Sequence, residues 1–318
     1  MGMLELRQLV KRFPNAATPA VDHVTLRVEP GETLGLVGES GSGKTTLGRC
    51  ALLLEEPTSG EVLLEGRDLS RLSREELRRT RRHMQIVFQD PVGSLNPRLN
   101  VADILAEPFD IHERISRGET ADRVRELLGA VGLPADAAAR YPHEFSGGQR
   151  QRIGIARAIA LRPKFIVADE PVSALDVSVG AQIVNLLADL QQQFGLTYLF
   201  ISHGLPLVRI ISTRVAVMYL GRIAEIGPTD ALFDRPAHPY TLLLRESTPR
   251  IELGEKQPGA MHPAKFPNAR APAQFSGCRF RNRCPLAAAR CEEEVPELRE
   301  IETGHFAACH FAERVAEI

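Results

Sequence analysis

The stretch that decides the fold reads GESGSGKT and spans residues 38–45. An apolar segment, Glu32–Val37, precedes it, and a helical pattern follows it. Glycine-rich turns of this kind point successive backbone N–H groups inward, and the following helix adds the positive end of its dipole. Lys44 is placed to reach the β- and γ-phosphates of a nucleotide, and the Thr45 hydroxyl is placed to hold Mg²⁺. A chance Gly/Ser-rich turn would lack this strand-and-helix context, so the stretch predicts a phosphate-binding loop.

The loop predicts a P-loop NTPase, but kinases, GTPases and helicases share it, so it does not define the reaction. We expect the nucleotide to be bound by the loop and the first helical turn, through Gly38, Ser40, Gly41, Ser42, Gly43, Lys44, Thr45 and Thr46.

A pair of acids closes the apolar segment FIVADE at residues 165–170. Asp169, at the strand end, is predicted to face the phosphate loop and to bind Mg²⁺ through its hydration shell. Glu170 follows directly and is placed to orient and polarise an attacking water. Two solvated acids at a strand end are common, but a phosphate loop upstream favours the catalytic interpretation.

A second anion site is predicted where FSGGQRQR, residues 145–152, opens a helical pattern. Ser146 is a suitable helix cap, and Gly147 and Gly148 leave backbone N–H groups open at the positive end of the helix. One chain does not need two γ-phosphate sites to bind one ATP. In two chains placed head to tail, by contrast, the second site of each chain covers the nucleotide of the other. The alternative is a plain capped helix in a Gly-rich turn.

The wider pattern alternates short strands with helices, which favours an α/β fold with a parallel sheet covered by helices on both faces. Strands are predicted at Phe165–Ala168 and Leu196–Ser202, a helix at Val177–Phe194, and a hairpin around Gly221. Alternating apolar residues near the N-terminus predict antiparallel strands.

Composition excludes several classes of protein. The chain has 318 residues, 43% of them hydrophobic and 25% charged, and a formal net charge of -1. Such a charge does not favour a nucleic-acid partner. No apolar run approaches the roughly 20 residues of a membrane span, and the N-terminus lacks the apolar core of a signal peptide. We therefore expect a cytoplasmic protein whose membrane role, if any, comes through a partner.

The motifs occur in the order GESGSGKTT, Gln89, FSGGQ, FIVADE, SALD and His203, which resembles the ABC ATPase family over roughly residues 1–245. The resemblance implies a nucleotide-binding domain with an antiparallel β subdomain and a helical subdomain at about residues 90–162. It also implies ATP as the nucleotide, an active ATPase and a nucleotide-sandwich dimer.

Residue roles follow from the same resemblance. Gln89 would sense Mg²⁺ and water and couple to a permease, and His203 would contact the γ-phosphate and help to hold Glu170. Mg²⁺ would be held through Thr45, Gln89 and Asp169. The residues implied to act in trans on the partner's ATP are Ser146, Gly147, Gly148, Gln149 and Asp176.

The adenine would stack on Phe13, since a flat aromatic ring suits a flat base. Each of these roles has an ordinary alternative: a strand-end polar residue for Gln89, a histidine at a strand edge for His203, or a core phenylalanine for Phe13.

Three further stretches resemble the oligopeptide/dipeptide importer branch: residues 89–101, QDPVGSLNPRLNV; residues 174–187, ALDVSVGAQIVNLL; and residues 238–249, HPYTLLLRESTP. The resemblance implies a second ATPase subunit or a copy of this chain, two membrane permeases, and an extracytoplasmic peptide-binding protein. It places the chain peripherally at the cytoplasmic face of the bacterial inner membrane. Dipeptide, oligopeptide, nickel-complex and glutathione import all remain open.

A C-terminal extension, residues 246–318, carries the spacing C-x5-C-x6-C-x17-C at Cys278, Cys284, Cys291 and Cys309. Zinc sites usually contain a close C-x2-4-C pair, whereas four thiolates at wider spacing suit an iron–sulfur cluster. The branch resemblance also points to a [4Fe–4S] cluster. An irregular zinc site with His305 or His310, or reduced structural thiols, are the alternatives.

A different class of function is a soluble ABC ATPase without a transport role, in iron–sulfur assembly or DNA repair. The absence of a long coiled-coil insert before FSGGQ counts against repair, and the three importer stretches would be unexplained in an assembly protein. A P-loop kinase would leave FSGGQ without a role.

Overall fold

The computed structural model describes residues 2–113, 115–247, 266 and 276–318, and within them the chain forms two sheets. The smaller sheet is antiparallel and four-stranded, in the order β2-β1-β4-β5. Its strands are β1 (Leu4–Lys11), β2 (Val21–Val28), β4 (Ser59–Leu64) and β5 (Arg67–Asp68). The predicted N-terminal antiparallel strands are therefore confirmed.

The larger sheet has eight strands in the order β11-β12-β10-β9-β3-β8-β7-β6. They are β3 (Thr33–Val37), β6 (Met84–Val87), β7 (Phe165–Asp169), β8 (Thr197–Ser202), β9 (Arg214–Tyr219), β10 (Arg222–Pro228), β11 (Arg299–Glu302) and β12 (His305–Ala307). The strands from β9 to β6 are parallel, and the β10, β11 and β12 edge is antiparallel. The predicted α/β class is confirmed, with an antiparallel edge added to the parallel sheet.

The helices connect these strands and cover the larger sheet. They are α1 (Lys44–Ala51), α2 (Arg74–Thr80), α3 (Val101–His112), α4 (Arg117–Ala130), α5 (Gly147–Ile159), α6 (Val177–Phe194), α7 (Leu205–Ile211), α8 (Thr229–Asp234), α9 (Pro239–Glu246) and α10 (Arg290–Glu293). Helices α3, α4 and α5 pack against one another between β6 and β7, within the range predicted for a helical subdomain. No helix in the described ranges is long and apolar enough to cross a membrane.

The central strands are buried on both faces, which explains their continuous apolar sequences. In β7, Phe165 and Val167 join the core beneath α1 and the smaller sheet, whereas Ile166 and Ala168 join the core beneath the other helices. Because side chains alternate along a strand, Asp169 shares the face of Phe165 and Val167. The strand therefore aims its terminal carboxylate towards α1, which carries the phosphate loop at its N-terminus.

The C-terminal extension adds to the edge of the larger sheet. Strand β12 pairs with β10, with Ala307 opposite Glu225. The His305 ring lies 2.7 Å from the Glu225 carboxylate, which also accepts the N–H groups of Ala237 and His238, and all of these groups are buried. The domain boundary at residue 245 stays a prediction. The recurring prolines after residue 245 predict an irregular linker, which lies outside the described residues; they are Pro249, Pro258, Pro263, Pro267 and Pro272.

Stability is expected to depend on pH through His238, which is 3% exposed and caps α9. Its Nδ1 accepts the Tyr240 N–H at 3.0 Å, and burial lowers the pKa of His238 to about 4. Since this pKa lies below that of an unfolded histidine, the stabilisation is complete above about pH 6.5 and is lost as the pH falls towards 4. Between pH 7.5 and 5 the free energy of unfolding should fall by about 2 kcal/mol on this account.

Urea unfolding at both pH values, on the wild type and on His238→Asn, measures this contribution. Asparagine keeps a capping oxygen but does not titrate, so its stability should fall less over the same range. An equal fall in both proteins would contradict the role assigned to His238.

Candidate functional site

The phosphate loop connects the end of β3 to the start of α1. Gly43 has a φ of +104°, and a Cβ there would lie 2.1 Å from the Ala20 carbonyl oxygen, so only glycine fits. Gly41 has a φ of +79°, and a Cβ there would meet nothing within 4 Å. The loop is thus closed on one side by backbone and open on the other, as a phosphate cradle requires.

Lys44 lies within this loop and is only 4% exposed. Its ammonium group donates to the carbonyl oxygens of Gly38 at 2.7 Å and Glu39 at 3.0 Å, with the Ser42 hydroxyl at 3.4 Å. Burial lowers the pKa of Lys44, and the charge of Glu170 works in the opposite direction. A cation held this way is well placed to bind phosphate oxygens.

Asp169 meets Thr45 at the base of the loop. The Thr45 hydroxyl donates to Oδ1 of Asp169 at 2.9 Å, although 124 positions separate the two residues. Burial raises the pKa of Asp169, while the Thr45 hydrogen bond acts to lower it. A hydroxyl and a carboxylate oxygen beside a phosphate loop are the ligand types that Mg²⁺ takes, so these residues fit the predicted magnesium site.

The Glu170 carboxylate contacts the other two predicted catalytic residues, Gln89 and His203. Its backbone turns out of β7 with a φ of +45°, and its N–H donates to the Ile201 carbonyl at 3.0 Å. Gln89 Nε2 donates to Glu170 Oε2 at 2.9 Å, and His203 Nδ1 lies 3.4 Å from the same oxygen. The His203 side chain is 61% exposed. Three residues from the ends of β6, β7 and β8 therefore meet at one carboxylate, beside the Thr45–Asp169 pair.

The FSGGQ stretch begins α5. The Ser146 hydroxyl accepts the Gln149 N–H at 3.3 Å, and the Gln149 side chain accepts the Ser146 N–H at 3.0 Å. This capping box fixes the helix start. The two glycines beside it lie close to α6 and the segment before it: a Cβ on Gly148 would lie 2.5 Å from Val179 Cγ1 and would displace it, while one on Gly147 would lie 3.3 Å from Leu175.

Asp176 caps the neighbouring helix, α6. Its Oδ1 accepts the Val179 N–H at 2.9 Å, and Val179 is the side chain that faces Gly148. The starts of α5 and α6 therefore lie together. Their action on a partner's nucleotide stays a prediction, since a single chain does not test it.

Phe13 follows β1 and is 37% exposed, with the Lys11 ammonium 5.0 Å from its ring centroid. An accessible ring face is compatible with a stacked base and does not fit the alternative of a core residue. The adenine contact itself stays a prediction.

Two polar residues that the sequence analysis did not single out, the buried Gln151 and the partly buried Arg157, hold the chain around Gln89. Gln151 Nε2 donates to the Phe88 carbonyl at 3.4 Å, and Arg157 Nη1 donates to the Ser94 carbonyl at 2.7 Å. Burial lowers the pKa of Arg157. Both side chains extend from α5, so this helix links the FSGGQ turn to the Gln89 segment. Polar side chains among the apolar positions of the helical pattern were the available signal.

The predicted cluster cysteines lie close together in the folded extension. The Cys278 N–H donates to the Cys291 carbonyl at 2.7 Å, and burial raises the pKa of both Cys284 and Cys309 to about 12. Among the described residues no group of three or more His, Cys, Asp or Glu side chains is arranged to hold a metal ion. The structure therefore does not support the predicted iron–sulfur cluster.

Comparison with family models gives two matches. Residues 21–173 match the ABC transporter family, and residues 224–291 match the C-terminal region of oligopeptide/dipeptide transporters. The second match includes three of the four extension cysteines.

Two relatives extend the similarity over nearly the whole chain. The oligopeptide transport ATP-binding protein AppF of Bacillus subtilis is 49% identical over 97% of this chain and 97% of its own length. The di/tripeptide transport ATP-binding protein DppF of Pseudomonas aeruginosa is 49% identical over 94% of this chain and 92% of its own length.

Solved structures agree with the fold. The dimeric ATP-binding cassette MJ0796, bound to ADP and Pi in a post-hydrolysis state, superposes with a TM-score of 0.65 at 31% identity, over 71% of this chain and 99% of that chain. The cbiO1 subunit of the cbiONQ transporter from Clostridium perfringens gives a TM-score of 0.67 at 26% identity, over 73% of this chain and 91% of that chain.

Proposed function

Because the chain belongs to the ABC transporter ATP-binding subunits of the oligopeptide/dipeptide family, we propose that it hydrolyses ATP to energise the import of peptides or related small cargo. The observation that carries the proposal is the meeting of Gln89 and His203 at the Glu170 carboxylate, beside the Thr45–Asp169 pair. This arrangement joins a phosphate cradle, a magnesium site and a base for water activation in one place.

Each residue has a distinct part in the proposed reaction. The glycine-rich loop and Lys44 bind the phosphates, while Thr45, Asp169 and Gln89 orient the magnesium shell. When bound, Mg²⁺ neutralises charge on the β- and γ-phosphates. Glu170 orients the attacking water towards the γ-phosphate and accepts a proton from it. Gln89 and His203 hold the Glu170 carboxylate in position.

We place the Ser146–Gly148 turn, with Gln149 and Asp176, against the partner's ATP in a head-to-tail dimer. Support comes from the contact between the start of α5 and the start of α6, where Gly148 faces Val179 and Asp176 caps α6. Backbone N–H groups at a helix start favour an anion such as a γ-phosphate. Closure of the dimer on ATP would drive the permeases, and hydrolysis would reopen it.

Mixed dimers of two tagged copies test this geometry through Ser146→Ala and Glu170→Gln. When both changes lie in one subunit, the only hydrolysing site is completed by the defective turn, and turnover should fall about tenfold to a hundredfold. When the changes lie in opposite subunits, that site keeps a normal turn, so turnover should match dimers carrying Glu170→Gln alone. Equal loss in both arrangements would exclude action in trans.

The partners follow from the proposed importer. We infer a second ATPase subunit, either a related chain or a copy, two transmembrane permeases and an extracytoplasmic peptide-binding protein. The chain would then attach peripherally to the cytoplasmic face of the bacterial inner membrane. AppF and DppF are named for oligopeptides and di/tripeptides, which supports peptide cargo.

An anaerobic pull-down from membranes tests the transport assignment. The bait is the full chain carrying Glu170→Gln, incubated with ATP, and Lys44→Ala is the matched bait that should not close on ATP. Recovery of two polytopic permeases supports the proposal. Recovery of soluble partners alone would overturn it in favour of a non-transport ATPase in iron–sulfur assembly or DNA repair.

The same sample tests the iron–sulfur prediction independently. A brown chromophore with stoichiometric iron and sulfide would restore the four extension cysteines as ligands. A colourless sample that still carries the permeases would reject the cluster and leave the transport assignment intact.

A further inference from the structure

The extension places an arginine against the phosphate loop. Arg283, one residue before Cys284, donates to both carboxylate oxygens of Glu39, at 2.9 Å and 3.0 Å. Glu39 is the second residue of the GESGSGKT loop, and 244 positions separate it from Arg283. The two side chains are 23% and 43% exposed, so the pair lies at the surface beside the loop.

Glu39 is held at its backbone as well as at its carboxylate. Its N–H donates to the Tyr240 hydroxyl at 2.7 Å, and its carbonyl oxygen accepts Lys44 Nζ at 3.0 Å. The conformation of Glu39 is therefore tied directly to the position of the lysine that is to bind phosphate. A carboxylate at this place in the loop also repels a bound triphosphate unless a cation neutralises it.

The segment that carries Arg283 is packed against the rest of the chain. Phe280 is buried and packs edge-on against Tyr219, with ring centroids 5.3 Å apart, and lies 5.5 Å from the Tyr240 ring. Arg279 hydrogen-bonds to the Asp22 carboxylate and the Leu220 carbonyl. The Arg283 guanidinium lies 5.6 Å from the centroid of the Phe280 ring. This contact restricts the conformations of the Arg283 side chain that pairs with Glu39.

We propose that Arg283 is a positioning residue of the ATP site: it neutralises and fixes Glu39, so that the cysteine-bearing extension sets the ATP affinity of the phosphate loop. A partly exposed ion pair contributes little to folding, so its loss should act on nucleotide binding more than on stability. The inference deepens the proposed function, because it rests on ATP binding at the GESGSGKT loop.

MgATP affinity of the full chain tests the inference. Binding is titrated in the Glu170→Gln background to prevent turnover, and KM and kcat are measured with Glu170 intact. Arg283→Ala should raise Kd and KM about threefold to tenfold, with little change of kcat at saturating ATP. Arg283→Lys keeps the positive charge but loses the paired hydrogen bonds, so its Kd should lie between those of the parent chain and of Arg283→Ala.

The decisive variant also removes the charge of Glu39, the ion-pair partner of Arg283. In Arg283→Ala/Glu39→Gln no unpaired carboxylate remains beside the phosphates, so most of the lost affinity should return. Arg290→Ala is the matched control, since Arg290 pairs with exposed Glu294 within the same extension and should leave Kd unchanged.

Thermal melting of each variant separates a local effect from unfolding. An unchanged Kd in Arg283→Ala would overturn the inference, as would a loss that the double variant does not recover. A parent chain that fails to bind MgATP would overturn the proposed ATP site and the inference together, whereas normal parental binding with an unaffected Arg283→Ala overturns the inference alone.

Discussion

Replacing Glu170 with glutamine should lower ATP turnover by about a hundredfold to ten-thousandfold, because the amide cannot accept a proton from the attacking water. Glutamine has the shape of glutamate and keeps an oxygen for the Gln89 amide, which donates to Glu170 at 2.9 Å. MgATP should therefore still bind, and the closed dimer should accumulate because it cannot reopen through hydrolysis.

Steady-state phosphate release, MgATP titration and size-exclusion chromatography with ATP measure the three consequences of Glu170→Gln. Glu65→Gln is the matched control, since it removes the same charge from an exposed residue that pairs with Lys164. Turnover at the normal rate in Glu170→Gln would show that another group activates the water.

Replacing Lys44 with alanine should weaken MgATP binding by about tenfold to a hundredfold, since charge-assisted hydrogen bonds to the phosphates are lost. The change also removes the donor that two loop carbonyls share, those of Gly38 and Glu39. Turnover should fall with binding, in contrast to Glu170→Gln, where binding remains.

Isothermal titration of MgATP, together with thermal melting to detect loss of the fold, measures the effect of Lys44→Ala. Lys164→Ala removes an exposed lysine that pairs only at the surface with Glu65 and serves as the control. If Lys44→Ala binds MgATP as tightly as the wild type, the loop is not the phosphate cradle described above.

The elements nearest the site were predictable from sequence because their signals are local. A glycine-rich loop between an apolar strand and a helix defines its own geometry, and the acids after Ala168 stand where a buried strand must end. The prediction of Gln89 and His203 as site residues depended on the order of all the motifs together, since neither residue has a distinctive local pattern. That the two meet at Glu170 follows from parallel strands β6, β7 and β8, whose carboxyl ends share one edge of the sheet.

The sequence by itself thus determined the nucleotide class, the chemical types at the site and the family. Only the tertiary structure decided that β12 pairs with β10, that Gln151 and Arg157 hold the Gln89 segment, and that Arg283 contacts Glu39. The physical reason is that such contacts depend on how distant segments dock. Strand register and helix packing set the relative positions of residues that are far apart in the chain, and no local periodicity records them.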